Sequence, residues 1–280
     1  MIDLHLHTKY SDGTDDIGEL INKLEANKVK YFSITDHDNI TSFYKIKNNL
    51  DLLKDKQMQY ISGIEISSDF EGQSMHILVY NYDTNIPAIT SILDEIHHLR
   101  IERIKAHIEN LKNSFQIELD NKELLWLFSH TNPSKPHLAN ILIKKGYGTD
   151  VSSVIKKYLH SRFSHLKLDA KQIVSQLSKH KLIVGIAHPL GGVGEPRISK
   201  EQLEHNVTTL KECGIKFLEC YYSLYNKEDR ETIVKIAKKN SLKLSGGSDY
   251  HGKNKTVEIG NLGNDYKFNK SDFTILNLIN

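Results

Sequence analysis

Histidine and carboxylate residues stand in this sequence at spacings that suit metal binding. The chain has 15 histidines among 280 residues, and His5 and His7 are two apart in a segment of alternating apolar and polar residues. That alternation predicts a strand, so both imidazoles would point to one face, where one ion could bind both. The alternative is a half-buried strand whose histidines hydrogen-bond to their neighbours.

Asp249 and His251 repeat this spacing near the other end of the sequence. Two glycines precede them, which allows a tight turn or a close approach of the backbone to a ligand. An ordinary Gly-Gly-Ser-Asp turn would explain the same residues without a ligand. The pair therefore indicates a metal site only in combination with other residues.

Three further candidates lie in or after predicted strands. Glu65 stands among apolar residues of a predicted buried strand, where an ionised carboxylate is costly unless it is paired or bound to a metal. His76 has similar neighbours, although a hydrogen-bonded core histidine would explain it equally well. His37 lies between Asp36 and Asp38, and an aspartate here could instead cap a following helix.

The elements that would position these residues follow a regular order. Strand and helix patterns alternate over the first 80 residues and again from about residue 169, which predicts an α/β protein with a largely parallel sheet. In α/β barrels the active site lies at the carboxyl ends of the strands, so polar residues at those ends would meet on one rim. The residues at the predicted strand ends are His5, His7, Asp12, His37, Glu65, His188, Asp249 and His251.

The middle of the sequence has mostly helical periodicity. We expect a discontinuous barrel domain over residues 1–85 and 166–280, and a helical insertion over 86–165 that acts as a lid or substrate-binding element. Aromatic residues beside the basic faces of the insertion, such as Tyr158, could stack on a base or could belong to the core of the insertion itself.

Composition excludes several classes of protein. The 37 Lys+Arg and 35 Asp+Glu residues give a net charge of +2, whereas a strongly electropositive nucleic-acid binder usually carries more. No apolar run approaches the roughly 18 residues of a membrane helix. The two cysteines, Cys213 and Cys220, form no disulfide framework. We therefore expect a soluble, cytoplasmic protein with no membrane partner.

The candidate ligands also indicate the kind of metal centre. Imidazole and carboxylate ligands together suit Mn, Fe and Zn. The candidates form three clusters of three or four residues, which is more than one ion needs. We infer two or three ions, an arrangement that can clamp a phosphoryl group.

The motifs resemble those of a known family. HLHTKYSDG, TDHD, GIE, MHILVY, AHP and SGGSDYHG resemble, in order, the motif series of the PHP (polymerase and histidinol phosphatase) domain. KPHLANILIKKGY and KKYLHSRF resemble the insertion of one branch, the nucleoside 3′,5′-bisphosphate phosphatases with 5′-to-3′ exoribonuclease activity. The resemblance covers residues 1 to about 263 and implies a distorted (β/α)7 barrel of PHP type with a helical insertion.

The resemblance further implies a reaction and its cofactors. The reaction is metal-dependent hydrolysis of a small phosphorylated nucleotide or of short 5′-phosphorylated RNA, with Glu65 and Asp249 at the catalytic centre. The cofactors are up to three divalent ions, Mn, Fe or Zn. The implied ligands are His5, His7, Glu65 and Asp249 for the first ion, Glu65, His76 and His188 for the second, and Asp12, His37 and His251 for the third.

The sequence departs from that branch at the basic residues that bind phosphate. Lys135 stands where relatives usually have an arginine, and Leu190-Gly191-Gly192 follow the Ala-His-Pro motif where an arginine is often found. Lysine lacks the planar, bidentate donor geometry of arginine. The remaining candidates for substrate contact are Lys135, Arg162 and Arg197, of which Lys135 and Arg197 would also neutralise charge during the reaction.

Three alternatives stay open at this point. The protein could be another PHP phosphatase, such as a histidinol-phosphatase, although the long insertion argues against it. It could be a non-catalytic PHP module associated with nucleic acid, although every expected metal position holds a competent ligand. It could be a metal-dependent amidohydrolase, although the set of Asp12, His37 and His251 is not typical of those enzymes.

Overall fold

Two compact units make up the chain. The computed structural model describes all residues except 55, 131, 132, 162, 193, 194, 264–267 and 280. One unit comprises Met1–Thr90 with Asp169–Asn280, and the other comprises Ser91–Leu168. The change of periodicity in the sequence predicts a division at 85/86 and 165/166. No helix among the described residues is long and apolar enough to cross a membrane.

A small parallel sheet begins the first unit. Its strands are β1 (Ile2–Leu6), β2 (Tyr31–Ile34) and β3 (Gln59–Tyr60), in that order. Between β1 and β2 lies helix α1 (Ile17–Ala26), which Asp16 caps by accepting a hydrogen bond from the Glu19 backbone N–H. The apolar residues of α1 recur at helical spacing and are buried, as periodicity predicts. They are Ile17, Leu20, Ile21 and Leu24.

The second sheet is mixed rather than largely parallel. Strands β4 and β5 are antiparallel, β5 and β6 are antiparallel, and only β6, β7 and β8 run parallel. A two-residue turn at 71–72 joins β4 to β5, and such a short connection permits only antiparallel pairing. The strands, in their order in the sheet, are β4 (Gly63–Phe70), β5 (Gln73–Tyr80), β6 (Ile183–Ile186), β7 (Phe217–Tyr222) and β8 (Lys243–Gly247).

Helices lie between or after the strands. Helix α2 (Thr41–Lys47) is followed by a 3₁₀ turn at Leu50–Leu53. The remaining helices of this unit are α7 (Ala170–Lys179), α8 (Lys200–Cys213), α9 (Lys227–Lys239) and the short α10 (Leu276–Ile279).

The strands do not form a closed seven-stranded barrel among the described residues. Mixed α/β content is confirmed, but in the described part of the chain the bridges between the two sheets are isolated ones, Leu6 with Tyr250 and His37 with Glu65. The backbone at Asp38 and Asp249 has φ of 48° and 58°. Because an extended strand needs negative φ, both residues interrupt the ladder where it would otherwise continue.

The second unit is helical. The long α3 (Ile86–Phe115) is followed by α4 (Asn121–Phe128), α5 (Lys135–Lys144) and α6 (Val151–Tyr158). Asp120 and Asp150 cap α4 and α6 through backbone N–H groups of the first turn. Tyr158 lies in the hydrophobic core of this unit with Leu111 and Leu138, which favours the core interpretation of that aromatic residue.

Candidate metal centre

Strand β1 places two histidines side by side. His5 and His7 are fully buried, and their ring centroids are 5.1 Å apart. Past the end of β8, the Asp249 N–H donates to the His5 carbonyl at 2.9 Å, and the His7 N–H donates to the Tyr250 carbonyl at 2.9 Å. The segment after β8 therefore lies against β1, and the pair His5/His7 faces the pair Asp249/His251.

Glu65 is the centre of the cluster. Its Oε2 lies 3.0 Å from His5 Nε2 and 3.1 Å from His7 Nε2. Its Oε1 lies 3.0 Å from both His76 Nδ1 and His188 Nε2. Burial acts to raise the pKa of Glu65, but the positive field of the surrounding imidazoles outweighs it, and the pKa lies well below its usual value. His37 Nδ1 also lies 3.3 Å from Oε2, so one ionised carboxylate faces five imidazoles, three on Oε2 and two on Oε1.

Asp249 faces the same imidazoles with one oxygen only. Its Oδ1 lies 3.6 Å from His5 Nε2 and 3.3 Å from His7 Nε2. Its Oδ2 accepts hydrogen bonds from the Tyr222 hydroxyl at 2.9 Å and from the Lys255 ammonium at 2.7 Å. These two donors fix the orientation of the carboxylate and leave Oδ1 to the imidazoles.

A third group lies on the more open side of the cluster. Asp12 Oδ1 is 3.1 Å from His251 Nε2, and Asp12 Oδ2 is 3.8 Å from His37 Nε2. The Asp12 side chain is 56% exposed, in contrast with the buried Glu65 and Asp249. His7 stacks on His251 with a centroid distance of 4.0 Å. The structure therefore adds His7 to the three residues that the sequence analysis grouped here.

The aspartates beside His37 do not cap a helix. Helix α2 begins after Ile40, which makes no side-chain cap. Asp36 instead accepts hydrogen bonds from the Thr8 N–H at 2.7 Å and the Ser11 hydroxyl at 2.8 Å. The alternative that Asp36 or Asp38 caps the following helix is therefore wrong, and Asp36 holds the loop that follows β1.

The residues present fit a metal centre. Several imidazole nitrogens are buried without a hydrogen-bond partner among the described residues, and leaving a buried polar atom unpaired is costly. Burial opposes protonation, yet Asp249 and Glu65 raise the pKa of His7 to about 9. Bound cations would satisfy these nitrogens and displace the protons. The unpartnered atoms are His7 Nε2, His37 Nδ1 and His251 Nε2.

The donor atoms also lie close enough together for ions. Each of four groups has ligand atoms within 4.8 Å of one another, and imidazole with carboxylate is a donor set that suits Mn, Fe and Zn. The groups are His5, His7, Glu65 and Asp249; His7, Asp12, His37 and His251; His37, Glu65 and His76; and His76, His188 and Glu195.

Two glutamates of the site were missed by sequence reasoning. Glu219 in β7 accepts from His5 Nδ1 at 2.8 Å and from the His188 N–H at 2.7 Å. A carboxylate on Nδ1 sets the tautomer that leaves Nε2 free for an ion. Glu195 makes an equivalent contact with His188 Nδ1 at 3.0 Å. Glu219 stands among apolar residues of a strand, the signal that identified Glu65, whereas Glu195 lies in a loop and has no such signal.

The predicted substrate-binding cations have other partners. The Lys135 ammonium, in the helical unit, donates to the Ser161 carbonyl at 3.0 Å. The Arg197 guanidinium pairs with Asp229, and its side chain is 58% exposed. Arg162 lies outside the described residues. Their roles toward a substrate stay predictions.

Comparison with known proteins identifies the family. A family profile described as the PHP domain matches residues 3–220. The chain belongs to the PHP family. The motif resemblance noted in the sequence is thus confirmed for this PHP protein, and the metal cluster lies on the residues that carry it.

Its relatives have related activities by name. A 5′-3′ exoribonuclease of Haemophilus influenzae is 25% identical over 270 residues, which are 92% of either chain. A 3′,5′-nucleoside bisphosphate phosphatase of Chromobacterium violaceum is 23% identical, over 89% of this chain and 87% of its own. These are hydrolases of phosphoester bonds, the enzyme class that the sequence predicts.

A solved structure agrees in fold. A protein of Bifidobacterium adolescentis, assigned as a metal-dependent phosphoesterase, is 25% identical, with a TM-score of 0.70. The match covers 94% of this chain and 92% of that one. The likeness in fold therefore extends over most of the chain.

Proposed function

We propose that this PHP protein is a metal-dependent phosphoesterase that hydrolyses phosphate esters of nucleotides. The single observation that supports this most is Glu65, whose Oε2 faces three imidazoles and whose Oε1 faces two in a buried site. Such a carboxylate suits a bridge between two cations. The names of the relatives point to nucleoside 3′,5′-bisphosphates, or short 5′-phosphorylated RNA, as the substrate class.

We propose up to three divalent ions, Mn, Fe or Zn, held by the sets that the family resemblance implies. The contacts around Glu65 support the first two sets, and the contacts around Asp12 support the third. The proposed ligands are His5, His7, Glu65 and Asp249; then Glu65, His76 and His188; then Asp12, His37 and His251.

Ions in these positions would supply Lewis acidity and an activated water. The protein contributes the orientation of the ligands. Glu219 on His5 Nδ1, and the Asp249 carbonyl 2.8 Å from His251 Nδ1, leave the Nε2 atoms of both rings available to ions. The charge of Glu65 counters repulsion between two cations, and its burial strengthens that effect.

A substrate with two phosphates needs a cation for the phosphate that is remote from the ions. We propose Lys135 for this contact, with Arg162 and Arg197 as further candidates. Losing a charge-assisted contact costs about 1.5–3 kcal/mol. Lys135→Ala should therefore lower kcat/KM roughly ten- to a hundredfold on a 3′,5′-bisphosphate and much less on a monophosphate. An equal loss on both substrates would contradict this role.

The activity is tested with a substrate panel. Protein stripped of metal by a chelator and reloaded with Mn²⁺ is assayed on adenosine 3′,5′-bisphosphate, AMP, a short 5′-phosphorylated RNA and histidinol phosphate. We expect Mn²⁺-dependent hydrolysis. The fastest reaction should be phosphate release from the bisphosphate or nucleotide release from the RNA. Preference for histidinol phosphate would favour the alternative phosphatase, and inactivity of the loaded protein on every phosphoester would contradict the proposal.

A further inference from the structure

A loop after β6 carries a carboxylate into the cluster. The Glu195 side chain is 13% exposed and its Oε2 lies 3.0 Å from His188 Nδ1. The Gly192 N–H donates to the same oxygen at 2.8 Å, and the Glu195 N–H donates to the Gly192 carbonyl at 3.2 Å. These contacts fix the carboxylate beside the imidazole.

A glycine is needed for this arrangement. A Cβ at Gly192 would lie 2.9 Å from His188 Nδ1, closer than real Cβ atoms approach other atoms. A side chain at that position would displace the ring or the loop. The glycines that stand where relatives often have an arginine therefore let Glu195 contact His188.

The other oxygen of Glu195 has no such partner. Glu195 Oε1 is buried and accepts no hydrogen bond from the described residues. It lies 3.6 Å from His76 Nδ1, an atom that is 3.4 Å from His188 Nε2. A small cavity of about 30 Å³, enough for a water molecule or an ion, is lined in part by His76, His188 and Glu195. A buried carboxylate oxygen without a donor is costly, and a cation would remove that cost.

We propose that Glu195 is a fourth protein ligand of the ion that Glu65, His76 and His188 would hold. Oε1 binds the ion while Oε2 orients His188. The inference rests on the proposed metal centre and names a ligand of its second site. Two carboxylates and two imidazoles would then hold the ion of this site.

Two substitutions separate a ligand from a residue that only orients His188. Glu195→Gln keeps an amide oxygen that can accept from His188 Nδ1 but offers the ion no charge. Glu195→Ala removes both functions. If Glu195 is a ligand, both variants lose affinity for the ion to a similar extent. If Glu195 only orients His188, Glu195→Gln keeps the wild-type affinity for the ion. Glu212→Gln, which removes an exposed glutamate from α8, is the matched control.

The measurement is a Mn²⁺ titration of metal-free full-length protein, with free Mn²⁺ followed by electron paramagnetic resonance. We expect the affinity of one ion to fall at least about tenfold in both Glu195 variants and to stay unchanged in Glu212→Gln. X-ray absorption of the loaded protein should show fewer oxygen and nitrogen ligands per ion in both variants. Circular dichroism verifies that the variants are folded.

The outcomes separate this inference from the proposed function. Wild-type affinity for every ion in folded Glu195→Gln overturns the ligand role and leaves the metal centre as proposed. A wild-type protein that binds no Mn²⁺ overturns both.

Discussion

The proposed metal centre depends most on the charge of one side chain, Glu65. It is fully buried, and no basic residue lies among the contacts described for its oxygens, only imidazoles. Removing its charge while keeping its shape isolates the electrostatic contribution. Glu65→Gln should abolish turnover and remove at least one bound ion, because the amide cannot hold two cations together, while the far-UV circular dichroism spectrum stays unchanged. Near-normal activity of a folded variant would refute the bridging role.

Glu219 offers a test of the residues behind the ligands. Glu219→Ala leaves two buried donors, His5 Nδ1–H and the His188 N–H, without an acceptor. Each unsatisfied group costs about 1–3 kcal/mol in the free energy of unfolding, and loss of such a partner typically weakens metal binding about 10–100-fold. Urea unfolding and Mn²⁺ titration measure both effects. Glu219→Gln keeps an acceptor and should be milder, and an alanine variant with unchanged stability and affinity would contradict the orienting role.

At the scale of elements, the close approach of β8 to β1 brings the pair His5/His7 beside the pair Asp249/His251. A Cβ at Gly247 would lie 2.2 Å from the Cβ of His5. Gly247→Ala should therefore force the strands apart, lower the free energy of unfolding by about 1–3 kcal/mol and weaken Mn²⁺ binding. Gly18→Ala, in α1, is the control, since its Cβ would make an ordinary contact of 3.4 Å with Oδ1 of the N-cap residue Asp16. Equal stability and metal affinity of the two variants would show that the approach is not required.

Elements also show what pattern can predict. The buried faces of α1 and the strand character of residues 182–187 follow from apolar spacing, which is a local property. The antiparallel pairing of β4 with β5 depends on the turn at 71–72, and the interrupted ladder depends on positive φ at Asp38 and Asp249. Apolar spacing does not encode these backbone conformations, so the alternation predicted a largely parallel sheet, and the family resemblance implied a distorted (β/α)7 barrel.

For the whole molecule, residue types indicated more of the candidate ligands than of the loops and strands that surround them. The sequence identified His5, Glu65 and Asp249 as candidates, because burying ligand-type residues at strand ends is costly unless they are paired or bind a metal. Glu195 was not identifiable, because its place beside His188 depends on the contacts that fix its carboxylate. The change from alternating to helical periodicity predicts a second, helical unit, because periodicity reports secondary structure along the chain.

The number and place of bound ions test the central claim most directly. Protein purified without chelator is analysed for Mn, Fe and Zn per chain, and crystals of it are used for anomalous diffraction at the edge of each metal found. The account predicts two or three ions per chain, two of them on either side of the Glu65 carboxylate and one of these bound by His5 and His7. A fully loaded sample with a single ion away from His5 and His7 would contradict it.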